Sequence, residues 1–250
     1  MPPGDNLTGE VSRSGEVGSF TSERADGDFA VTAGSASARA ARRRALVDLP
    51  WVEVHQVHGA RVVEIGDWSA AGAARPGAPA PRGHEATDGW AAVEADALVT
   101  ARSGVVLAVR TADCAPVVLT TDGGPVGVAH AGWRGVEAGV VEATVDALRA
   151  LGAGQIEARI GPCIEGACYE FGAEDLDRVA DRYGSVVRCV TRLGTPGLSV
   201  VAAVTAACER AGVPVVGPPP PCTACEATRY WSHRARGETG RMVTAVWRTP

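Results

Sequence analysis

The 250-residue sequence contains no lysine, so all 24 basic residues are arginine. That absence removes Schiff-base chemistry, pyridoxal phosphate attachment and the phosphate-binding lysine of a P-loop. Methionine occurs only at positions 1 and 242, and the 5 histidines never form a His-x-His pair. A trinuclear copper centre needs many more histidines, typically in such pairs, and a blue-copper centre has few choices for its weak axial methionine. No apolar run approaches the roughly 20 residues that a membrane span requires. The stretch Met1 to Glu16 is polar and lacks the charged start and apolar middle of a signal peptide, so a cytoplasmic location is expected. With 29 acidic residues against 24 basic ones the net charge is −5, the wrong sign for a duplex nucleic-acid binder. Seven cysteines is an odd number and, in a cytoplasmic setting, does not read as a disulfide framework.

What remains is ordinary globular composition, 46% hydrophobic and 21% charged, in a chain long enough to bury a sizeable core. Residues 1–16 read as a disordered tail and 17–250 as a single catalytic domain. Ser35 to Leu46 carries alanine and arginine at helical spacing. Trp51 to His55 and Arg61 to Ile65 read as strands, and the Ala/Gly/Pro-rich segment from Ser69 to Gly89 as a long loop. From Ala97 the short apolar runs DALVT, GVVLAVR, APVVLT and PVGVAH read as buried strands. One helix is expected through Val136, Val140, Val141, Val145 and Leu148, stopping at Gly152. A strand at Ile156–Ile160, helices at Glu174–Arg182 and Val200–Arg210, and a closing strand at Met242–Trp247 complete the pattern. Strand clusters with separate helices, without regular βαβ alternation, imply an α+β fold with a mixed sheet.

Three stretches put histidine or cysteine beside glycine or proline at strand ends: HQVHG (55–59), RTADCAPV (110–117) and AHAGWRG (129–135). His58, Cys114 and His130 together offer two imidazoles and a thiolate, a set suited to Zn²⁺ with one position open. Far apart in sequence, the same residues also read as a surface or core histidine and a buried cysteine. His55 lies three residues before His58, so on a continuing strand the two would face opposite ways. Pro221-Cys222-Thr223-Ala224-Cys225 matches half of the zinc nucleobase-deaminase signature, but the His-x-Glu half is missing. That pair reads as buried or locally oxidisable. Cys163 and Cys168 read as packing residues in one loop, with an approach of Cys163 to the metal pocket as the alternative, Cys189 and Cys208 as core, and His84 and His233 as solvent-facing or as supports behind the metal ligands.

QVHG, TADCAPV, HAGWRG, the run from Ile160 to Gly172 and SHRARGETGRM (232–242) resemble, in order, the motifs of one family. It is the family once labelled polyphenol oxidase or laccase-like, whose members appear as purine nucleoside phosphorylases with adenosine deaminase activity and as the peptidoglycan editing factor. The resemblance spans about Trp51 to Trp247. It implies a layered α/β/β/α fold with mixed sheets and a Zn²⁺ held by His58, Cys114 and His130, with Cu²⁺ as the alternative metal. The implied substrates are small: adenosine, inosine or methylthioadenosine, with phosphate. The region from Gly27 to Ala40, GDFAVTAGSASARA, departs from the family, lacking its usual asparagine and histidine.

Zinc with three protein ligands lowers the pKa of bound water to about 7, and the nucleophile so generated suits either C6 of adenosine or an amide carbonyl. Asp113, beside Cys114, reads equally as a proton shuttle and as a turn-forming carboxylate that caps backbone N–H groups. Without lysine, phosphate needs arginine, and Arg110 and Arg134 flank the metal ligands. For Arg134 the competing reading is a surface ion pair with Glu137 or Asp146. Three other functions fit the same residues: an amidase acting on a UDP-muramyl amino-acid precursor, a copper polyphenol oxidase, and a zinc-containing binding protein without activity.

Overall fold

The computed structural model describes residues 11–14, 17–66 and 92–249. The segment read as a long loop and His84 within it lie outside those residues. Two five-stranded sheets form the centre of the molecule. The first contains β1 (Val11–Ser14), β2 (Val17–Thr21), β3 (Trp51–Val52), β6 (Val106–Thr111) and β12 (Met242–Arg248), in the order β1-β2-β12-β6-β3. The second contains β4 (Val62–Glu64), β5 (Ala97–Thr100), β7 (Ala115–Thr121), β8 (Val126–Ala131) and β9 (Ile156–Ile160), in the order β4-β5-β8-β7-β9. Each sheet is mixed: β3 runs parallel to β6 and β4 parallel to β5, while the other pairs are antiparallel. β1 lies inside the segment read as a tail and pairs with β2. A third, two-stranded sheet joins β10 (Arg188–Val190) to β11 (Pro196–Leu198).

Strand periodicity explains the layering. On β6, Leu107 and Val109 face one core while Val106 and Ala108 face another. On β7, Val118 joins the same central core as Leu107, whereas Ala115, Val117 and Leu119 face away. The two sheets therefore share the layer built from Val52, Leu98, Leu107, Val118, Val128 and Val246. Strands buried on both faces read as unbroken apolar runs, not as alternation, which is why DALVT and PVGVAH show no period of two.

Helices close the two outer faces. α1 (Ala36–Leu46) is capped by the Ser35 side chain, and its Leu46 packs with Trp51, Phe20 and Trp247 over the first sheet. α2 (Trp133–Ala138), α3 (Val140–Ala150), α4 (Ala173–Tyr183) and α5 (Val200–Arg210) cover the second sheet. The result is an α/β/β/α stack in one domain. α6 (His233–Arg236) is a single turn before β12. No helix among the described residues is long and apolar enough to cross a membrane.

The expected continuous helix from Val136 to Leu148 is two helices. Gly139 sits at φ +94° and breaks it, and a Cβ there would meet Arg182 Nη2 at 2.7 Å. The left-handed conformation is open to glycine and costs other residues. Tyr183 donates its hydroxyl to the Val136 carbonyl at 2.7 Å, tying α4 to the end of α2. The expected strand from Trp51 to His55 is likewise shorter, ending at Val52.

Candidate metal and substrate site

Three chain segments meet at one end of the second sheet. His58 lies in the loop between β3 and β4, Cys114 immediately precedes β7, and His130 is on β8, opposite Pro116. Their ligand atoms all lie within 4.8 Å of one another. Cys114 Sγ is 3.9 Å from His58 Nε2, and the two imidazole rings meet edge to face with centroids 4.7 Å apart. Sheet register, not sequence proximity, brings these side chains together. The pairing of Ala115 with Ala131 fixes Cys114 beside the end of β8.

Asp96, just before β5, organises the group. Its carboxylate is fully buried and accepts from His130 Nδ1 at 2.8 Å. It also accepts the backbone amides of Val57, His58 and Gly59, at 3.2, 2.9 and 2.7 Å. Those three bonds hold the loop that gives His58 a φ of +61°, an uncommon conformation for a residue other than glycine. Burial alone would raise the Asp96 pKa, but the bonds from His130 and from the Gly59 and His58 amides keep it below its usual value. With Nδ1 committed to Asp96, His130 has only Nε2 left for a metal, the carboxylate–histidine arrangement that orients metal ligands.

Burial would push the Cys114 thiol up, but the charge of His130 and hydrogen bonds from both histidines bring it down to about 6. Burial would lower His130, but the facing Cys114 charge and the Asp96 bond raise it to about 9. The pair therefore holds its proton on the imidazole and leaves a thiolate, the form in which cysteine binds metal, and a metal taking His130 Nε2 would displace that proton. Gly132 supplies the room: a Cβ there would meet His58 Cδ2 at 2.8 Å and Cys114 Sγ at 3.0 Å. Two imidazoles, a thiolate and the space between them fit a Zn²⁺ ion with an open position. The only methionine sulfur among the described residues, on Met242, is buried in the first sheet and accepts the Trp231 amide at 3.1 Å. It is engaged as a hydrogen-bond acceptor and does not resemble the axial ligand of a blue-copper site.

Asp113 also has positive φ, +91°, and is buried. Its carboxylate accepts Thr223 Oγ1 at 2.6 Å, Ser232 Oγ at 2.7 Å and the Arg234 amide at 2.6 Å. It thus draws two distant segments around Cys114. Of the two arginines expected to serve an anion, Arg110 is committed elsewhere, donating to Glu53 Oε2 at 3.1 Å and the Val54 carbonyl at 3.3 Å. Arg134 is exposed and stacks on Trp133, 4.3 Å from the ring centroid. The carboxylates that might have held it are taken: Glu137 pairs with Arg178 and Asp146 with Arg149. His55 forms an isolated backbone bridge with Glu94 and stays outside the cluster, and His233 begins α6.

Two further side chains stand at this end of the sheet. The Arg234 guanidinium lies 4.9 Å from the Tyr169 ring centroid. Burial, and behind it the Cys114 charge, push the Tyr169 phenol up to about 12 against the pull of Arg234. Arg234 also lines a cavity of about 590 Å³ together with Cys168, Glu170, Phe171 and Arg192. Neither Tyr169 nor Asp96 stood out in the sequence. Asp96 reads there only as the first residue of the buried run DALVT, and Tyr169 as part of the run from Ile160 to Gly172.

Residues 8–249 match the family described as multi-copper polyphenol oxidoreductase laccase. The chain is 39% identical over 227 residues to the purine nucleoside phosphorylase ORF3 of Streptomyces griseus, covering 88% of this chain and 83% of that protein. It is 36% identical over 162 residues to adenosine deaminase RL5 of an unknown prokaryotic organism, covering 61% of this chain and 62% of that one. Among solved structures, YlmD from Geobacillus stearothermophilus superposes with a TM-score of 0.76 at 27% identity, covering 94% of this chain and 93% of that chain.

Proposed function

The chain belongs to the multi-copper polyphenol oxidoreductase laccase family, and from that premise we propose that it is a zinc-dependent purine nucleoside phosphorylase that also deaminates adenosine. Relatives named for these two activities support an enzyme of this kind. The observation that carries the reading is the convergence of His58, Cys114 and His130 around the space beside Gly132, with Asp96 orienting His130.

His58, Cys114 and His130 would hold the zinc, which when bound supplies a Lewis acid and a water of lowered pKa. The protein's own part is to place substrate and phosphate against that end of the sheet. Arg134, exposed and without a carboxylate partner among the described residues, would take the phosphate through its guanidinium fork. Asp113 would act chiefly as a positioning residue, because its three hydrogen bonds hold Thr223, Ser232 and Arg234 around Cys114. The cavity beside Arg234 is within the size range of small-molecule sites. Adenosine, inosine and methylthioadenosine are the substrates this reading names.

The test is direct. Purified zinc-loaded protein is incubated with adenosine, with and without phosphate, and the products are separated by chromatography. Adenine and ribose 1-phosphate appearing only with phosphate, and inosine appearing in either case, are the expected result. No turnover of any purine nucleoside, with the metal retained, would overturn it. Hydrolysis of a muramyl–amino-acid amide under the same conditions would instead indicate an editing amidase.

A further inference from the structure

A second group of side chains that could hold a metal shares no residue with the first. Glu165, Cys168, Cys222 and Cys225 place a carboxylate oxygen and three sulfurs within 4.8 Å of one another. We propose that these four residues form a structural Zn²⁺ site that clamps the 221–226 turn to the 163–169 loop.

The donors come from two tight turns, each with two residues between its ligands. Glu165-Gly-Ala-Cys168 forms a 3₁₀ turn in which the Cys168 amide donates to the Glu165 carbonyl at 2.9 Å. Cys222-Thr-Ala-Cys225 turns back on itself, with the Cys225 and Glu226 amides donating to the Cys222 carbonyl at 3.2 and 3.0 Å. Paired turns of this spacing are how structural zinc sites gather four ligands. Here a glutamate occupies the place of one cysteine. Main-chain bonds fix the two turns against each other: Cys163 donates to Pro221 at 3.2 Å and Thr223 donates to Cys163 at 3.0 Å.

The distances suit a tetrahedron. Zinc–sulfur bonds near 2.3 Å put neighbouring sulfurs about 3.8 Å apart, and Cys168 Sγ and Cys225 Sγ are 3.5 Å apart. The charges suit a cation. Three thiolates and one carboxylate carry four negative charges, of which Zn²⁺ offsets two and Arg192 a third. Arg192 donates to Cys225 Sγ at 3.1 Å and to Glu165 Oε2 at 3.2 Å, and the Glu165 amide donates to Cys222 Sγ at 3.3 Å. Such outer bonds orient and stabilise metal-bound ligands. On binding, each thiol gives its proton to solvent. The four donors fill the coordination sphere, so the site would be closed and structural.

The location explains what the clamp would do. Thr223, inside the 221–226 turn, donates to the Asp113 carboxylate beside Cys114. Fixing the turn therefore fixes one support of the first site. The inference stands on its own residues and does not depend on the nucleoside reading.

The experiment counts metal. Full-length protein purified under reductant, reconstituted with Zn²⁺ and freed of excess should hold two zinc ions per chain. Cys114→Ala should hold one, and so should Cys168→Ser and Cys225→Ser. Cys225 is exposed, so its replacement by serine is compatible with the fold. Cobalt titration of the wild-type apoprotein needs no variant. The second site should give about three times the thiolate-to-cobalt absorbance of the first, three sulfurs against one. Cys225→Ser should abolish that component and keep the weaker one. A zinc count in the reconstituted wild type that Cys168→Ser and Cys225→Ser leave unchanged, or no zinc in Cys114→Ala, would overturn the proposal. So would a Cys168–Cys225 disulfide, seen by mass spectrometry in protein kept under reductant.

Discussion

His130 donates its Nδ1 proton to Asp96, and the same carboxylate accepts the amides of three consecutive residues around His58. One buried side chain thus sets the tautomer of one candidate ligand and the backbone of another. Asp96→Asn tests this. The amide group is the same size, but whichever way it is turned, its NH₂ faces an N–H donor. Metal affinity should fall about 10- to 100-fold, and stability by roughly 1–3 kcal/mol for the broken buried bonds. Competition with a chelator reads the first and denaturant unfolding the second. Unchanged metal affinity would show that Asp96 serves the fold alone.

Gly132 is the residue whose missing side chain leaves room for the ligands. In Gly132→Ala the new methyl would lie 2.8 Å from His58 Cδ2 and 3.0 Å from Cys114 Sγ. His58 is exposed and can swing away, so the clash should be relieved by losing a ligand, not by unfolding. The expected result is a protein of near-normal thermal midpoint with strongly weakened metal binding at this site. Gly154→Ala, where a methyl meets nothing within 4 Å, is the control. Equal metal affinity in both variants would remove Gly132 from the site.

Much of this arrangement is legible from residue order, and the rest depends on contacts that residue order does not carry. His58, Cys114 and His130 each lie in a short motif, and the buried strands β5 to β8 are plain in their apolar runs. The layering was implied by resemblance and follows physically from which alternate residues share a core. Asp96 escaped notice because its four hydrogen-bond donors come from residues 57–59 and 130, brought to it only by sheet pairing. Gly139 lies inside a valid helical period, and its break is set by a left-handed φ that no periodicity reports. Cys168 reads as a packing residue and Cys222 with Cys225 as a buried or locally oxidisable pair, since the 163–169 loop and the 221–226 turn meet only through tertiary bonds.

Replacing Arg134 should separate the two proposed chemistries. Among the described residues it has no carboxylate partner, and it rests on Trp133, so Arg134→Ala should disturb little of the fold. Losing a charge-assisted bond costs roughly 1.5–3 kcal/mol, so the KM for phosphate should rise about 10- to 100-fold. Deamination, which uses no phosphate, should change far less. Arg134→Lys should recover part of the phosphate affinity, because it restores the charge but not the fork. Steady-state kinetics of both reactions on one preparation reads all three. An equal loss in both would place Arg134 in general substrate binding or in the fold.

Glu238 should make stability depend on pH. It accepts the Ser232 amide at 2.8 Å, Arg24 Nη2 at 2.7 Å and Arg236 Nε at 3.0 Å, and Ser232 in turn donates to Asp113. Burial works to raise its pKa, but the Ser232 amide and the two arginines together bring it below the ordinary 4.5. A carboxylate whose folded pKa is depressed stabilises the fold above its unfolded pKa and loses that contribution as pH falls through the folded one. Glu238→Gln keeps the shape and removes the charge. It should cost about 1 kcal/mol at neutral pH, with the difference from wild type shrinking below pH ~4 and vanishing once Glu238 is protonated. Urea unfolding midpoints of the two proteins at neutral and acid pH measure the convergence. A difference that stays constant across that range would mean that the glutamate acts by shape and not by charge.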